Sequence, residues 1–329
     1  MSDDARLPVT VITGTLGAGK TTLVKHVLAH SGRRLAVVVN EFGDIGIDAD
    51  LIRSGDEELI ELNSGCICCV VRGDLIRTLR RLLLRSDDFD GIVIETTGLA
   101  NPGPVIQTFF ADQVIAAQCR LDSVVTVVDA VHIDRHLKRG PDASDQIACA
   151  SLLVLNKVSE VQDTRRITAC LAKINPFAPM LATDRAVIDP DAVFSSLGFD
   201  LDRIAERLVA DEDPGKDPQH AHDHSLDHTG DIRSVSLSSP EIFDPQALES
   251  WLTDVLRLNG EDILRTKGIF RLADPKQALV VQAVHMLIEG DIITPPQPPD
   301  HSRIVLIGRG LDSEVLRAGL MACQASQPA

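Results

Sequence analysis

Val9-Thr10-Val11-Ile12-Thr13-Gly14-Thr15-Leu16-Gly17-Ala18-Gly19-Lys20-Thr21-Thr22 passes from β-branched and apolar residues into glycines, a lysine and two threonines. Residues 9–13 are apolar or β-branched on consecutive positions, which suits a strand buried on both faces. Residues 20–30 carry a helical pattern. Gly14 to Thr21 fits G-x-x-x-x-G-K-[ST] in the strand–turn–helix setting that gives this motif its meaning. Glycines let backbone N–H groups turn inward around a β-phosphate, and the helix N-terminus adds its partial positive charge. Gly14, Gly17, Ala18, Gly19, Lys20, Thr21 and Thr22 are therefore expected to cradle a nucleoside triphosphate. Lys20 should reach the β- and γ-oxygens, and the Thr21 hydroxyl should ligate Mg²⁺.

Outward from this loop, short apolar runs at 35–40, 91–95, 123–129 and 152–156 alternate with helical stretches such as 72–85 and 164–173. That alternation predicts a doubly wound, mostly parallel α/β sheet of the P-loop NTPase kind over residues 1–210. Residues 211–231, rich in Asp, Pro, Gly and His, read as a flexible acidic linker. Residues 232–329 predict a smaller α+β domain in the order β-α-β-β-β-α. Its strands are expected at 233–237, 263–272, 279–288 and 303–307, and its helices at 245–258 and 312–323.

Two further strand ends carry chemistry. Ile92-Val93-Ile94-Glu95-Thr96-Thr97-Gly98 places an acid at the carboxyl end of a central strand, where Glu95 can hold Mg²⁺ directly or through water. The Gly98 N–H falls where a γ-phosphate would sit, so the segment 96–101 reads as a switch that this phosphate orders. Asn156-Lys157-Val158-Ser159 resembles the Asn-Lys-x-Asp with which GTPases read guanine, and Asn156 and Lys157 join the nucleotide ligands. Serine at the fourth position lacks the charged acceptor, a loss of about 1.5–3 kcal/mol. Either Glu160 substitutes or the base is read less strictly.

Glu61-Leu62-Asn63-Ser64-Gly65-Cys66-Ile67-Cys68-Cys69 sets three of the seven cysteines within four positions, in a loop before the 72–85 helix. Adjacent thiols pair poorly with each other, and thiolates take borderline ions such as Zn²⁺, which wants four ligands. Three sulfurs leave one position open, as suits a site that hands its metal on; Co²⁺ and Cu(I) are not excluded. His220, His222, His224 and His228, spaced H-x-H-x-H-x₃-H, are weaker accessory metal ligands or simply part of a solvated spacer. His26 and His30 lie four apart on a helix without an evident third ligand. His285 reads as a core histidine inside a strand. The isolated Cys119, Cys149, Cys170 and Cys323 read as small buried hydrophobes. Arg77, Arg80, Arg81 and Arg85 are taken as a solvated helix face, with an acidic-client surface as the lesser reading.

Composition removes other classes. The 329 residues carry 32 Lys and Arg against 48 Asp and Glu, a net −16 that repels phosphate backbones and anionic lipid, so neither nucleic acid nor membrane is expected as a partner. With no Tyr, one Trp and nine Phe, base-stacking platforms are scarce. No apolar run reaches a bilayer span, and the acidic start lacks an apolar signal region, which points to a cytoplasmic protein.

The chain resembles the CobW-type P-loop GTPases, metal-chaperone relatives of the urease and hydrogenase maturation GTPases. The resemblance rests on residues 14–22, on Val39-Asn40-Glu41-Phe42-Gly43-Asp44-Ile45-Gly46-Ile47-Asp48, and on the C-x-C-C stretch 63–73. It also rests on 95–102, on 146–157, and on Ile263-Leu264-Arg265-Thr266-Lys267-Gly268. It implies GTP and Mg²⁺ as cofactors, slow GTP hydrolysis, and Zn²⁺ or Co²⁺ held by Cys66, Cys68 and Cys69. It also implies Glu41 in a first switch, near Mg²⁺ or the thiols, and a client apo-metalloprotein; a homodimer is left open. On this reading GTP–Mg²⁺ draws Glu41 and the 95–98 switch inward, the sulfurs converge on the metal, and hydrolysis releases it. Competing readings are a nucleotide-gated sensor or buffer without delivery, and a P-loop ATPase or kinase with a structural zinc. The kinase lacks an arginine-rich lid.

Overall fold

The computed structural model describes residues 5–39, 59–61, 69–98, 101–194 and 232–325; at 59–61, 69–72 and 110 only the backbone is described. Glu41, Cys66, Cys68, the four histidines at 220–228 and the acidic stretch 211–231 lie outside these residues. The chain divides into two compact units, Met1–Gly198 and Phe199–Ala329.

In the first unit the elements run β1 (Leu7–Gly14), α1 (Lys20–His30), β2 (Leu35–Val39), β3 (Leu59–Glu61), α2 (Cys69–Leu83), β4 (Gly91–Glu95), α3 (Gly103–Ala111) and α4 (Gln113–Gln118). They continue with β5 (Cys119–Asp129), α5 (Ile133–Arg139), α6 (Asp142–Cys149), β6 (Leu152–Asn156), α7 (Arg165–Ile174), β7 (Met180–Ala182) and α8 (Pro190–Phe194). The seven strands form one sheet in the order β3-β2-β4-β1-β5-β6-β7, and every pairing is parallel. This is the doubly wound P-loop architecture read from the strand–helix alternation. Ile12, Val37, Val93, Val125 and Val154 from the sheet pack with Leu23, Val24 and Val27 of α1 in one core. Each such side chain contributes roughly 1.5–3 kcal/mol on burial, so the phosphate-loop helix is held by the sheet's own core.

Register aligns the carboxyl ends of the strands. Ile12 lies opposite Glu95, Val39 opposite both Glu95 and Glu61, Gly14 opposite Val127, and Asp129 opposite Asn156. Strands spaced by about 4.8 Å put the end of β3 roughly 10 Å, two strand steps, from the end of β4. In open α/β sheets this rim is where ligands bind.

The second unit contains β8 (Ile232–Ser239), α9 (Pro245–Asn259), β9 (Ile263–Arg271), β10 (Ala278–Val284), β11 (Leu287–Ile293), β12 (Ser302–Arg309) and α10 (Ser313–Met321). Its antiparallel sheet has the order β11-β10-β9-β12-β8. Leu237, Phe270, Val281, Ile304 and Leu306 pack against Leu248, Leu252, Leu316 and Leu320 of the two helices. Asp244 and Asp312 cap those helices, accepting from Ala247 N and from Glu314 N and Val315 N. The single strand expected over 279–288 is instead a hairpin. Val284 pairs with Leu287 across a tight turn at His285, whose φ of 50° is left-handed, so the described residues of this unit form five strands and His285 sits in a turn. An apolar turn with neither Gly nor Asn gave no break in the sequence pattern. Among the described residues no helix is long and apolar enough to cross a membrane.

Candidate nucleotide site

The turn from β1 into α1 is built as the motif requires. Ala18 N donates to Thr15 O (3.1 Å), the Lys20 ammonium folds over the loop to the same carbonyl (3.2 Å), and Leu23 N continues the helix to Gly19 O (2.9 Å). Gly19 is left-handed at φ 107°, and a Cβ there would lie 2.5 Å from the Asn156 amide nitrogen, so no other residue fits. The Thr15 hydroxyl is buried and has no hydrogen-bond partner among the described residues. A buried orphan donor inside a glycine loop fits an anionic ligand.

Thr21 Oγ1 donates to Glu95 Oε1 at 2.7 Å, bringing together the two side chains read from separate motifs. A hydroxyl and a buried carboxylate at the rim are the oxygen donors Mg²⁺ takes, so these residues fit the ion and would hold it. When bound, Mg²⁺ offsets the charge on the β- and γ-oxygens. Beyond Glu95 the chain is pinned to β1: Thr96 N donates to Ile12 O and Thr96 Oγ1 to Thr13 Oγ1, both at 2.9 Å. Gly98 then lies directly against the Leu16 backbone of the phosphate loop. Farther on, the Asn101 amide donates to Asp145 of α6 (3.1 Å), while its oxygen accepts from Gly103 N at the start of α3 (2.7 Å).

On the other flank Asn156 works with both faces of its amide. Its nitrogen donates to Ala18 O and its oxygen accepts from Ala186 N, each at 2.9 Å, tying phosphate loop, β6 and the loop after β7 together. Lys157, left-handed at φ 65°, donates to Asp129 Oδ2 at 2.7 Å. Burial would raise the Asp129 carboxyl, but hydrogen bonds from Lys157 and His132 outweigh it and hold the group below the usual range. Sequence reading missed Asp129, whose place at the end of β5 beside Asn156 was its only signal. It also missed Asp184. Ser159 N and Ser159 Oγ both donate to Asp184 Oδ1, at 3.0 and 2.9 Å. The carboxylate that meets Ser159 is thus Asp184.

Other expectations resolve as structural. Cys69 is the first residue of α2, so the helix begins at the third thiol and not at residue 72. His26 contacts the Ile188 carbonyl (2.7 Å) and His30 the His26 carbonyl (2.8 Å), with the rings stacked on each other. Arg77, Arg80 and Arg85 pair with Asp74, Asp112 and Asp88. Cys119, Cys149 and Cys323 are buried, and burial pushes the Cys119 thiol up to about 12. Among the described residues no group of three or more His, Cys, Asp or Glu could hold a metal.

A family model described as the CobW/HypB/UreG nucleotide-binding domain matches residues 8–182, and one described as the cobalamin synthesis protein CobW C-terminal domain matches residues 232–324. The chain belongs to the CobW/HypB/UreG family. Among its relatives, the zinc chaperone YjiA of Escherichia coli is 34% identical over 95% of this chain and 97% of its own. The zinc-regulated GTPase metalloprotein activator 1 of Schizosaccharomyces pombe is 36% identical over 93% of this chain and 83% of its own. The crystal structure of Zn(II)-bound YjiA GTPase superposes with a TM-score of 0.73 at 29% identity, covering 97% of this chain and 99% of that one. The first match spans the phosphate-loop sheet and so includes the rim assembled from Lys20, Thr21, Glu95 and Asn156.

Proposed function

We propose that this CobW/HypB/UreG family member is a GTP-hydrolysing zinc chaperone whose grip on its cargo is set by the nucleotide it holds. The rim geometry supports the nucleotide half: Lys20 and the glycine loop bind phosphate, and Thr21 and Glu95 hold Mg²⁺. The relatives named for zinc support the cargo half. Cys66, Cys68 and Cys69 are the proposed cargo ligands, with Co²⁺ as a second ion, and His220, His222, His224 and His228 serve as accessory ligands. Metal-binding thiolates need a reducing compartment, which favours the cytoplasm.

One observation carries the coupling. Val39 stands in register with both Glu95 and Glu61, so the chain leaves for Glu41 beside the Mg²⁺ ligand and enters the thiol stretch one strand away. A change at the γ-phosphate that moves the 95–98 segment therefore reaches both ends of the proposed cargo loop. An open fourth position on the metal lets a client metalloprotein displace the sulfurs in turn.

The test is a Zn²⁺ titration against a chromophoric chelator, with the protein loaded with Mg-GTPγS or Mg-GDP and with Cys66, Cys68 and Cys69 all changed to Ser in a parallel sample. Zinc held at least about tenfold tighter with GTPγS, an effect lost in the triple variant, is expected, since coupling free energies of about 1–3 kcal/mol are typical. Equal affinity in the two states rejects the scheme. Transfer of zinc to an apo-metalloenzyme on GTP hydrolysis separates delivery from a buffer that only stores the ion.

A further inference from the structure

The fourth residue of Asn156-Lys157-Val158-Ser159 has no carboxylate, yet a carboxylate stands beside it. Asp184, from the loop after β7, receives the Ser159 backbone N–H and hydroxyl on one oxygen, Oδ1, at 3.0 and 2.9 Å. The Ser159 hydroxyl has a single hydrogen, which goes to Asp184, and two lone pairs, so toward any other group it can only accept. Asp184 retains its second oxygen, Oδ2. The pair therefore presents two acceptors, one a charged carboxylate oxygen and one a hydroxyl polarised by that charge.

We propose that Ser159 and Asp184 together read guanine, Asp184 supplying from the loop after β7 the charge that an aspartate at position 159 would have carried. This rests on the reading of the rim as a GTP site. Guanine offers two adjacent donors, N1–H and the 2-amino group, which match two acceptors. Adenine offers a lone pair at N1 and a bare C–H at position 2, leaving both oxygens unpaired and one facing another acceptor.

The loop is fixed in register with the phosphate site. Thr183 N donates to Leu155 O (2.8 Å), Val158 N to Thr183 O (3.3 Å) and Ala186 N to Asn156 Oδ1 (2.9 Å), while Asn156 also holds Ala18 O of the phosphate loop (2.9 Å). Arg185 and Ala186, neither of them glycine, are both left-handed, at φ 54° and 55°. Such backbone is disfavoured for each, and these hydrogen bonds hold it. Asp184 is thereby held against Ser159 at the exposed end of β6. Glu160, one residue beyond Ser159, lies in the short 3₁₀ turn Val158–Glu160, its N–H bonded to Lys157 O (3.1 Å).

The experiment measures calorimetric affinities for GDP, IDP (which lacks the 2-amino group), XDP and ADP, with Mg²⁺, on wild type, Asp184→Asn, Ser159→Ala and Glu160→Gln. Wild type should prefer GDP to ADP and to IDP. Asp184→Asn should weaken GDP by about tenfold to a hundredfold, the value of a charge-assisted hydrogen bond, and leave ADP within about twofold. It should also strengthen XDP, because the new amide can donate to the 2-oxo group. Ser159→Ala should lose part of the GDP preference, and Glu160→Gln none. An Asp184→Asn protein that keeps the wild-type GDP-to-ADP ratio, or weakens all four nucleotides equally, overturns the assignment, as does a collapse of the ratio confined to Glu160→Gln. Wild-type protein indifferent to GDP and ADP overturns the GTP reading itself, a result visible before any variant is made.

Discussion

Gly98→Ala places one methyl group where the two halves of the nucleotide site touch. A Cβ at this position would lie 2.5 Å from Leu16 N, 2.6 Å from Leu16 Cα and 3.0 Å from Leu16 Cβ, while ordinary contact begins near 3.4 Å. The obstructing atoms are mostly backbone, so relief requires the phosphate loop or the 95–98 segment to move by roughly 1 Å. Displacement of that size at a reacting centre costs up to about a hundredfold in rate, and overpacking costs about 1–3 kcal/mol in stability. The first unit should lose a few degrees of Tm for each kcal/mol. GTP hydrolysis, followed by phosphate release, should fall about tenfold to a hundredfold in kcat/KM, and on the proposed role of Gly98 as a γ-phosphate contact GTPγS binding should suffer more than GDP binding. Gly73→Ala in α2 is the matched control: a Cβ there meets nothing within 4 Å among the described residues, and alanine in a helix should stabilise by about 0.5–1 kcal/mol. Wild-type kcat/KM and an unshifted Tm in Gly98→Ala would refute the close contact and the switch reading built on it.

The second unit offers two independent tests, both read through Trp251, the chain's sole tryptophan. Burial pushes the His285 imidazole down to about 4. With the folded value below the unfolded one near 6.5, the unfolded state takes the proton first. Stability is then complete above pH ~6.5, falls by about 3 kcal/mol between there and pH ~4, and levels off below. Urea unfolding from pH 7.5 to 4 should show this slope, and His285→Asn, which tolerates the left-handed backbone, should flatten it; an equal slope in both proteins contradicts the account. Gly319→Ala would set a methyl 2.3 Å from the Trp251 indole nitrogen, prying α10 from α9 at about 1–3 kcal/mol. An unchanged Tm and emission spectrum would show that the helices do not meet there.

What could be read in the sequence was local chemistry with a fixed spacing. The phosphate loop declared itself because eight consecutive residues carry it, and Glu95 because it ends a buried apolar run. The β10–β11 hairpin stayed hidden because His285 and Met286 make its turn without a glycine or asparagine, joining two apolar runs into one. Helices α3 and α4 are marked in the sequence by Pro102 and by the cap Asp112, and Val105, Ile106 and Phe109 of α3 are buried at helical spacing. Asp184 was illegible for a different reason. It reaches Ser159 only because β7 lies beside β6, a neighbourhood made by sheet order and not by spacing.

Nucleotide and cargo metal should report to each other through the rim, and linkage makes the coupling measurable from either side. The most direct measurement is the ratio of GTPγS to GDP affinity, by competition, on the full chain with and without saturating Zn²⁺, in wild type and in the Cys66→Ser, Cys68→Ser, Cys69→Ser triple variant. Zinc should raise that ratio about tenfold or more, by the same factor that GTPγS tightens zinc, and the triple variant should abolish the rise. A ratio that zinc leaves untouched in wild type would contradict the coupling.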